Sequence, residues 1–446
     1  MTELLDLALT VVGWAAPGEQ VEAFLTRSRT TNVRAYQGEV ESISSAEPMG
    51  AGVRVIVGGR QGFAWVGSLE EALLKETLEE ARDNAAFGER DEFLGLAVPD
   101  GVAPPDLDLL RPELSSTPIA AKVDMAIEVE RLTLALDPRV TGVRVATYSD
   151  RMAEVAVATT TGIAVTETAG SCMAMVNPLL ESGGDTQIGV GYTFGRAPEE
   201  LDIDAAAARA VSRTARLLGA TKPNARRVTA VLDREVTADF LEVIGGTLSG
   251  DAVLKGRSLF AGREGEAVAA PMISLASDPV DPTGTAAGRN DGEGLGRRRV
   301  PLIESGRLEG FLYDTYSGRR SGRASTASAS RSYTSSPSVG ASAITIAAGD
   351  RSPEELIESV DDGVYVQDVS GLHSGVNPIS GDFSVGATGL IIRDGALAEP
   401  FREATIASTL QRMLLDVAAI GSDLEWLPGG SAGATLVIKD VSLGGN

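Results

Sequence analysis

Residues 233–253 read DREVTADFLEVIGGTLSGDAV, and they form the most informative stretch of the chain. The first half predicts a helix, because apolar residues recur there every three or four positions and so share one face. That apolar stripe is formed by Val236, Phe240, Leu241 and Ile244. Two adjacent glycines, Gly245 and Gly246, follow the stripe, and we expect the helix to break at them because glycine favours irregular backbone.

Downstream of this helix the composition shifts toward glycine, serine and short strand-like runs. Upstream, residues 219–227 (GATKPNARR) combine turn-forming residues with charge, which is typical of a boundary between domains. We therefore predict two domains and an α+β fold. Residues 1–220 form a mixed α/β domain, and residues 225–446 form a strand-rich domain with flanking helices.

The first half alternates strand-like and helix-like stretches. Residues 22–29 and 52–57 alternate polar and apolar side chains as half-buried strands do. The glycine-rich turn at 58–62 predicts a hairpin with the run 63–66, and a helix should follow Ser68, which has a glutamate three residues later as in a capping box. A second series of strands leads to a helix at about 204–218. The same order of strands followed by a helix thus occurs twice. An internal duplication and the common architecture of α+β domains explain this repetition equally well.

Three later segments carry expectations of their own. Residues 317–338 are rich in serine, arginine and glycine, which predicts a mobile loop or a segment ordered by a partner. Ser352, Pro353 and Glu355 have the pattern of a capped helix start. The spacing of the apolar residues over 406–420 predicts one further helix.

Composition limits the function more than the fold. The chain has 446 residues with 39 basic and 62 acidic side chains, a net charge of −23 that disfavours nucleic acid as a partner. Apolar runs stay below the roughly 18 residues of a membrane span, and the first residues lack the basic start of a secretory signal. We expect no membrane association and a cytoplasmic location. One cysteine, Cys172, and one histidine, His373, cannot supply the several His or Cys ligands of most zinc sites.

Other polar clusters favour ordinary structural roles. The acids at 278, 281, 291 and 293 lack the spacing of a calcium loop, so we interpret them as a solvated acidic loop. The basic run at 297–299 is interpreted as surface ion pairs. A catalytic triad using His373 and Asp382 is disfavoured because the chain has no G-x-S-x-G elbow.

Five stretches resemble one known family, the TldD/PmbA metallopeptidases, also called modulators of DNA gyrase. LEVIGGTLSGDAV (241–253) is similar to the zinc-binding stretch of the catalytic member, which reads H-E-x-x-x-H followed by Gly-Asp. The likeness continues through 254–271 and DGEGLGRRRVPLIESGRLEGFLYDTYSG (291–318). GVNPISGDFSVGATGLIIRDGALAEP (375–400) is typical of the PmbA (TldE) branch, and GVRVIVGGRQGFAW (52–65) fits as well.

The sequence departs from the family pattern at the metal ligands. Leu241 and Gly246 stand where the catalytic member has histidines, and only the acid between them is kept, as Glu242. The family's third ligand is a cysteine near the C-terminus, and this chain has none after Cys172. The resemblance therefore implies no metal, no cofactor and no catalytic residue in this chain. Because positions i and i+5 lie about 140° apart on a straight helix, we also expect such a motif to need a break in the helix.

The resemblance implies a role as one half of a peptidase complex. A TldD-type subunit would bind zinc, and this PmbA/TldE-like subunit would complete the chamber in which unfolded peptides are degraded or trimmed. The glycine- and serine-rich segments 317–338 and 371–389 are where we expect contact with substrate or partner. The candidate residues are His373, Ser374, Asn377, Asp382 and Ser384. Two alternatives stay open: a homodimeric peptidase acting alone, and a non-enzymatic adaptor that binds peptides or antitoxins.

Overall fold

A computed structural model describes residues 3–445 of the chain. The first half contains eight strands and five helices, with a single 3-10 turn at Pro198–Glu200. In chain order they are α1 (Leu4–Gly13), β1 (Gln20–Tyr36), β2 (Glu39–Ala46), β3 (Met49–Val57), β4 (Arg60–Val66), α2 (Glu71–Phe87), α3 (Pro112–Ser116), α4 (Ile119–Leu136), β5 (Val140–Thr159), β6 (Ala164–Ser182), β7 (Asp185–Ile188), β8 (Gly191–Gly195) and α5 (Ile203–Ala215).

These eight strands form one antiparallel sheet with the order β4-β3-β1-β5-β6-β7, in which β2 also pairs with β1 and β8 with β6. Because side chains alternate along a strand, the sheet has two distinct faces. Helices α1, α2 and α4 cover one face, where Leu25 and Tyr148 are buried. The other face, which includes Glu22 and Phe24, lies against the second half of the chain.

The elements expected in the first half are confirmed. The strands predicted at 22–29 and 52–57 lie within β1 and β3, and the predicted hairpin is formed by β3 and β4. The helix after Ser68 is α2, but its capping box is wrong: Ser68 accepts a hydrogen bond from the backbone of Glu70, and the helix begins at Glu71 without a side-chain cap. The helix predicted at about 204–218 is α5.

The second half begins at Arg226 and is built mainly from short strands. Its elements are β9 (Arg226–Leu232), α6 (Arg234–Thr247), α7 (Gly250–Leu254), β10 (Leu275–Ser277), β11 (Val300–Glu304), β12 (Arg307–Leu308), α8 (Thr315–Arg320), β13 (Ala329–Ser330), β14 (Ser338–Val339), β15 (Ile344–Ile346), α9 (Pro353–Glu358), β16 (Asp362–Ser370), α10 (Leu372–Gly375), β17 (Asp382–Arg393), β18 (Ala396–Thr409), α11 (Leu410–Leu415), β19 (Val417–Ile420), β20 (Glu425–Trp426), β21 (Ala432–Gly433) and β22 (Leu436–Gly444).

The main sheet of this half closes on itself. Its strand order is β18-β17-β16-β9-β22-β19, and a further pairing between β18 and β22 completes a ring of five strands. Only β9 and β16 run parallel. A core rich in leucine, isoleucine, valine and phenylalanine fills the space between this sheet and α6. The α+β fold class is therefore confirmed, and the division into domains at residues 220–225 stays a prediction.

Two further expectations about the second half are wrong. For residues 317–338 the mobile-loop alternative is wrong: the segment includes the end of α8, all of β13 and the start of β14, and the Arg331 side chain is fully buried against the first sheet. Ordering of this segment by a partner stays a prediction. The helix predicted over 406–420 is a strand, a six-residue helix and another strand, namely the end of β18, then α11 and β19. In the described part of the chain, no helix is long and apolar enough to cross a membrane.

Candidate functional site

Helix α6 carries the motif positions at 241, 242 and 246. Asp233 caps its start by accepting a hydrogen bond from the backbone N–H of Glu235. The predicted apolar stripe is buried in the core of the second half. The predicted break at Gly245 and Gly246 is wrong, because the helix continues through both residues to Thr247. A single glycine in a helix costs only about 1 kcal/mol, which the packing of the buried stripe offsets.

The continuous helix separates the motif positions instead of gathering them. Leu241 is 1% exposed and points into the core. Glu242 and Gly246, four residues apart, share the exposed outer face of the helix. Of the three motif positions, only Glu242 thus offers a ligand atom at this surface. The residues of α6 do not fit a zinc ion, which needs three protein ligands in a catalytic site.

The chain's only histidine and only cysteine cannot complete such a site. Cys172 lies on β6 in the first sheet with its thiol buried, and burial raises its pKa to about 12. His373 lies in the short helix α10, exposed, in the second half. Within residues 3–445, no group of three or more His, Cys, Asp or Glu side chains is arranged to hold a metal ion.

The outer face of α6 is acidic. Asp239 precedes Glu242 by one turn, and partial desolvation raises the pKa of Asp239 to about 6, with repulsion from Glu242, Asp368 and Glu235 adding to the shift. Desolvation also raises the pKa of Asp368, on the neighbouring strand β16. This face is therefore more protonated near pH 6 than ordinary aspartates would be.

The five predicted contact residues lie in one exposed loop and the strand that follows it. His373 and Ser374 belong to α10, whereas Asp382 and Ser384 begin β17. Asn377 organises the loop between them, because its side-chain oxygen accepts hydrogen bonds from the backbone N–H groups of Ile379 and Ser380. Their role in contact with substrate or partner stays a prediction.

A buried ionic network joins the two halves, and sequence reasoning missed it. Arg54 on β3 donates two hydrogen bonds to Glu22 on β1, at 3.0 and 2.8 Å. Arg331, from the second half, also donates to Glu22 and stacks over the ring of Phe24. Glu293 lies 3.7 Å from Arg54. The sequence does contain a signal for this network, because Glu22 and Arg54 are charged residues within otherwise apolar strand-like runs.

The acidic loop interpretation at 278–293 is accordingly wrong for two of its four members. Asp291 is 4% exposed and Glu293 is 1% exposed. Asp291 accepts hydrogen bonds from three backbone N–H groups, those of Glu293, Leu295 and Ala329. These bonds hold the carboxylate inside the protein, so the turn is a structural junction between the halves.

Burial and partners set the protonation of this network. Burial would raise the pKa of Glu22, but Arg54 and Arg331 outweigh it and hold the pKa below its ordinary value. Burial raises the pKa of Glu293 to about 7, although Arg54 opposes the shift, and raises that of Asp291 to about 6. Glu293 is thus the member of the network that titrates near neutrality.

Comparison with known proteins gives one consistent result. Three family models match successive parts of the chain: PmbA/TldA metallopeptidase domain 1 at residues 21–85, the central domain at 112–218 and the C-terminal domain at 225–445. The metalloprotease PmbA of Escherichia coli O157:H7 is 25% identical over 433 residues, which cover 95% of this chain and 92% of that protein. A TldD homologue of Haemophilus influenzae is also 25% identical, over 89% of this chain and 86% of its own length.

Solved structures agree on the fold. A putative modulator of DNA gyrase from Thermotoga maritima superposes with a TM-score of 0.90 at 21% identity, over 99% of this chain and all of that chain. TldE from Thermococcus kodakarensis gives a TM-score of 0.88 at 22% identity, over 99% of both chains. With the three family models matching nearly the whole length between residues 21 and 445, the chain belongs to the PmbA/TldD metallopeptidase family.

Proposed function

We propose that this chain is the metal-free, PmbA/TldE-like subunit of a cytoplasmic peptidase complex that degrades or trims unfolded peptides together with a TldD-type zinc subunit. The observation that carries the proposal is the state of α6. The helix keeps its place in the core, yet its three motif positions offer one exposed carboxylate, one buried leucine and one glycine.

The position of Leu241 supports an adapted scaffold. A histidine there would place an imidazole among Phe240, Ile244 and the other apolar side chains of the core, where an unpaired polar ring is costly. The leucine instead contributes to packing. A general base in such a site removes a proton from a metal-bound water. This chain offers no metal ligands beside Glu242, so Glu242 has no such water to deprotonate.

The proposed role of this subunit is to complete the complex and to receive the peptide. An extended peptide is recognised mainly through its backbone, which suits a complex that handles many unfolded sequences. The exposed loop with His373, Ser374, Asn377, Asp382 and Ser384 is the surface that we expect to meet the substrate or the partner.

The test is to purify this chain alone and together with a family member that carries H-E-x-x-x-H, and to measure zinc per chain by mass spectrometry. We expect zinc only in the mixture, and cleavage of an unfolded protein such as casein only there. A matched variant, Glu242→Gln, should leave the cleavage rate of the mixture unchanged within about twofold, because a residue without a metal water contributes little.

Other outcomes would favour the alternatives. Stoichiometric zinc and cleavage by this chain alone would establish a homodimeric peptidase and overturn the proposal. Stable association with the zinc subunit but no gain in cleavage would favour a non-enzymatic adaptor.

A further inference from the structure

A cleft of about 840 Å³ lies between the first sheet and the second half of the chain. Its floor is the sheet face that the helices leave uncovered, and its opposite wall is the turn Pro282–Thr285 with Pro428. Polar side chains from three adjacent strands, β1, β5 and β6, line the floor. We call this site the arginine cleft, after Arg111, Arg151 and Arg196.

Strand register decides which side chains face the cleft. Arg151 pairs with Thr30 on one neighbour and with Ser171 on the other, so the three side chains form a row on one face. Asp150, the next residue back, points to the opposite face, where it forms a buried ion pair with Lys122 of α4 at 2.5 Å. The hydroxyls of Thr30 and Ser171 and the guanidinium of Arg151 therefore point into the cleft.

Three arginines and two acids, Asp150 and Glu200, line the arginine cleft, in a chain with a net charge of −23. Of its three arginines, Arg111 is paired with Asp108 and lies 3.7 Å from Glu200. The side chain of Arg196 donates to backbone carbonyls, those of Leu109, Gly170 and Gly284. Arg151 is exposed and has no ion pair or side-chain hydrogen bond with any residue of the described range 3–445.

Two guanidinium groups that have no ion pair within the described residues thus line the same cavity, that of Arg151 from β5 and that of Arg196 from just after β8. Guanidinium groups bind carboxylates through pairs of parallel hydrogen bonds, and such bonds are roughly twice as strong as those between neutral groups. The cavity is in the size range of small-ligand and short-peptide sites. Its hydroxyl-rich floor can bond to a peptide backbone.

We propose that the arginine cleft binds a carboxylate group of an extended peptide, with Arg151 as the principal contact and Arg196 as the second. The peptide class rests on the proposed function, whereas the requirement for a carboxylate comes from the cleft itself. The carboxylate belongs to the C-terminus of the peptide or to an acidic side chain, since both present the same chemistry.

Three probes separate these sources: the N-acetylated peptide Gly-Ser-Gly-Ser-Gly-Ser as its free acid, the same peptide as its C-terminal amide, and that amide with one serine replaced by glutamate. Binding to this chain alone is measured by calorimetry at low and at physiological salt. Binding of the free acid identifies the C-terminus as the ligand, and binding of the glutamate peptide identifies an acidic side chain. In both cases we expect binding to weaken as salt rises.

Variants test the assignment of Arg151. Arg151→Gln should weaken binding about tenfold, and Arg151→Lys should restore part of it, because lysine keeps the charge but not the paired hydrogen bonds. The matched control is Arg29→Gln, an exposed arginine of β1 that lines a different pocket on the opposite face of the same sheet. It should bind like the unaltered chain.

The proposal is overturned if the neutral amide binds as tightly as both acids, if no probe binds, or if Arg151→Gln binds like Arg29→Gln. These failures are distinct from failure of the proposed function, which is decided by zinc content and by cleavage in the mixture with a zinc subunit.

Discussion

Glu293 is a carboxylic acid that folding removes almost completely from water. Its side chain accepts a hydrogen bond from the backbone N–H of Thr315 and faces Arg54, yet burial dominates and its pKa rises to about 7 from an ordinary value of 4.5. Between these two pH values the folded chain keeps a proton that the unfolded chain has released. Raising the pH from 4.5 to 7 should therefore lower the free energy of unfolding.

We predict that Glu293→Gln removes this part of the pH dependence. From pH 5 to pH 8, the free energy of unfolding should fall on the order of 2 kcal/mol less in the variant than in the unaltered chain, since one unit of pKa shift corresponds to about 1.4 kcal/mol. Urea unfolding at both pH values measures the difference. Glu309→Gln, at an exposed site, is the control. An unchanged slope in Glu293→Gln would contradict the prediction.

At the scale of elements, α6 shows how packing overrides a local glycine signal. A Cβ atom at Gly246 would have no heavy atom within 4 Å, whereas a Cβ atom at Gly245 would lie 2.7 Å from Cγ1 of Ile344 on β15. Close packing against Ile344 therefore excludes a larger side chain at Gly245. The surroundings of Gly246 leave room for one.

We predict that Gly246→Ala raises the free energy of unfolding by about 0.5 kcal/mol, because alanine loses less backbone entropy in a helix. Gly245→Ala should lower it by about 1–3 kcal/mol, the usual cost of overpacking. Each variant serves as the control for the other in urea unfolding. Destabilisation by Gly246→Ala would indicate that the backbone at this position leaves the helical conformation.

Local signals predicted some elements well and others poorly. The capped start at Ser352 is confirmed, with the reciprocal hydrogen bonds between Ser352 and Glu355 in place, because that signal involves only neighbouring residues. The apolar spacing over 406–420 was misleading. The six residues of that spacing are all buried, namely Ile406, Leu410, Met413, Leu414, Val417 and Ile420. They reach one core from two strands and a short helix, β18, α11 and β19. Periodicity reports burial, and it does not decide which element achieves the burial.

The candidate site was predictable only in part for a related reason. The loss of zinc ligands at 241 and 246 can be read from residue types alone. The buried network of Glu22, Arg54, Arg331 and Glu293 could not be, because its members are separated by up to about three hundred positions and meet only when the two halves pack together. A solvated acidic turn and a buried one also have the same composition, so the burial of Asp291 and Glu293 could not be predicted from residue types.

Segment 317–338 belongs to the second half of the chain and packs against the first sheet. The ring of Tyr333 lies directly over Gly50, and its backbone carbonyl lies over Gly52. The same ring forms an edge-to-face contact with Trp65, with ring centres 5.9 Å apart. Close to it, the buried side chain of Arg331 reaches Glu22. The ring of Tyr333 and the ion pair of Arg331 thus join this serine-rich segment to the first sheet.

We predict that trypsin cleaves the folded chain after the exposed Arg323 but not after Arg331. Tyr333→Ala should increase cleavage after Arg331 about tenfold, because losing the ring frees the segment to open locally. Mass spectrometry of the fragments over time measures both sites. Tyr36→Ala, at an exposed tyrosine, is the control. Equal rates at Arg331 in both variants would contradict the prediction and show that the ring of Tyr333 does not limit opening of the segment.

The closed ring of the second half also has a consequence for how the protein is made. Strand β9 pairs with β16 on one side and with β22 on the other, and β22 ends at Gly444, more than two hundred residues after β9 begins. During translation the first sheet can form as soon as β8 has left the ribosome, whereas β9 meets its first partner only after β16 has emerged and its second only after β22 has emerged. The apolar residues of β9 lack the closed sheet throughout that interval, and exposed apolar strands of this kind favour aggregation of a nascent chain.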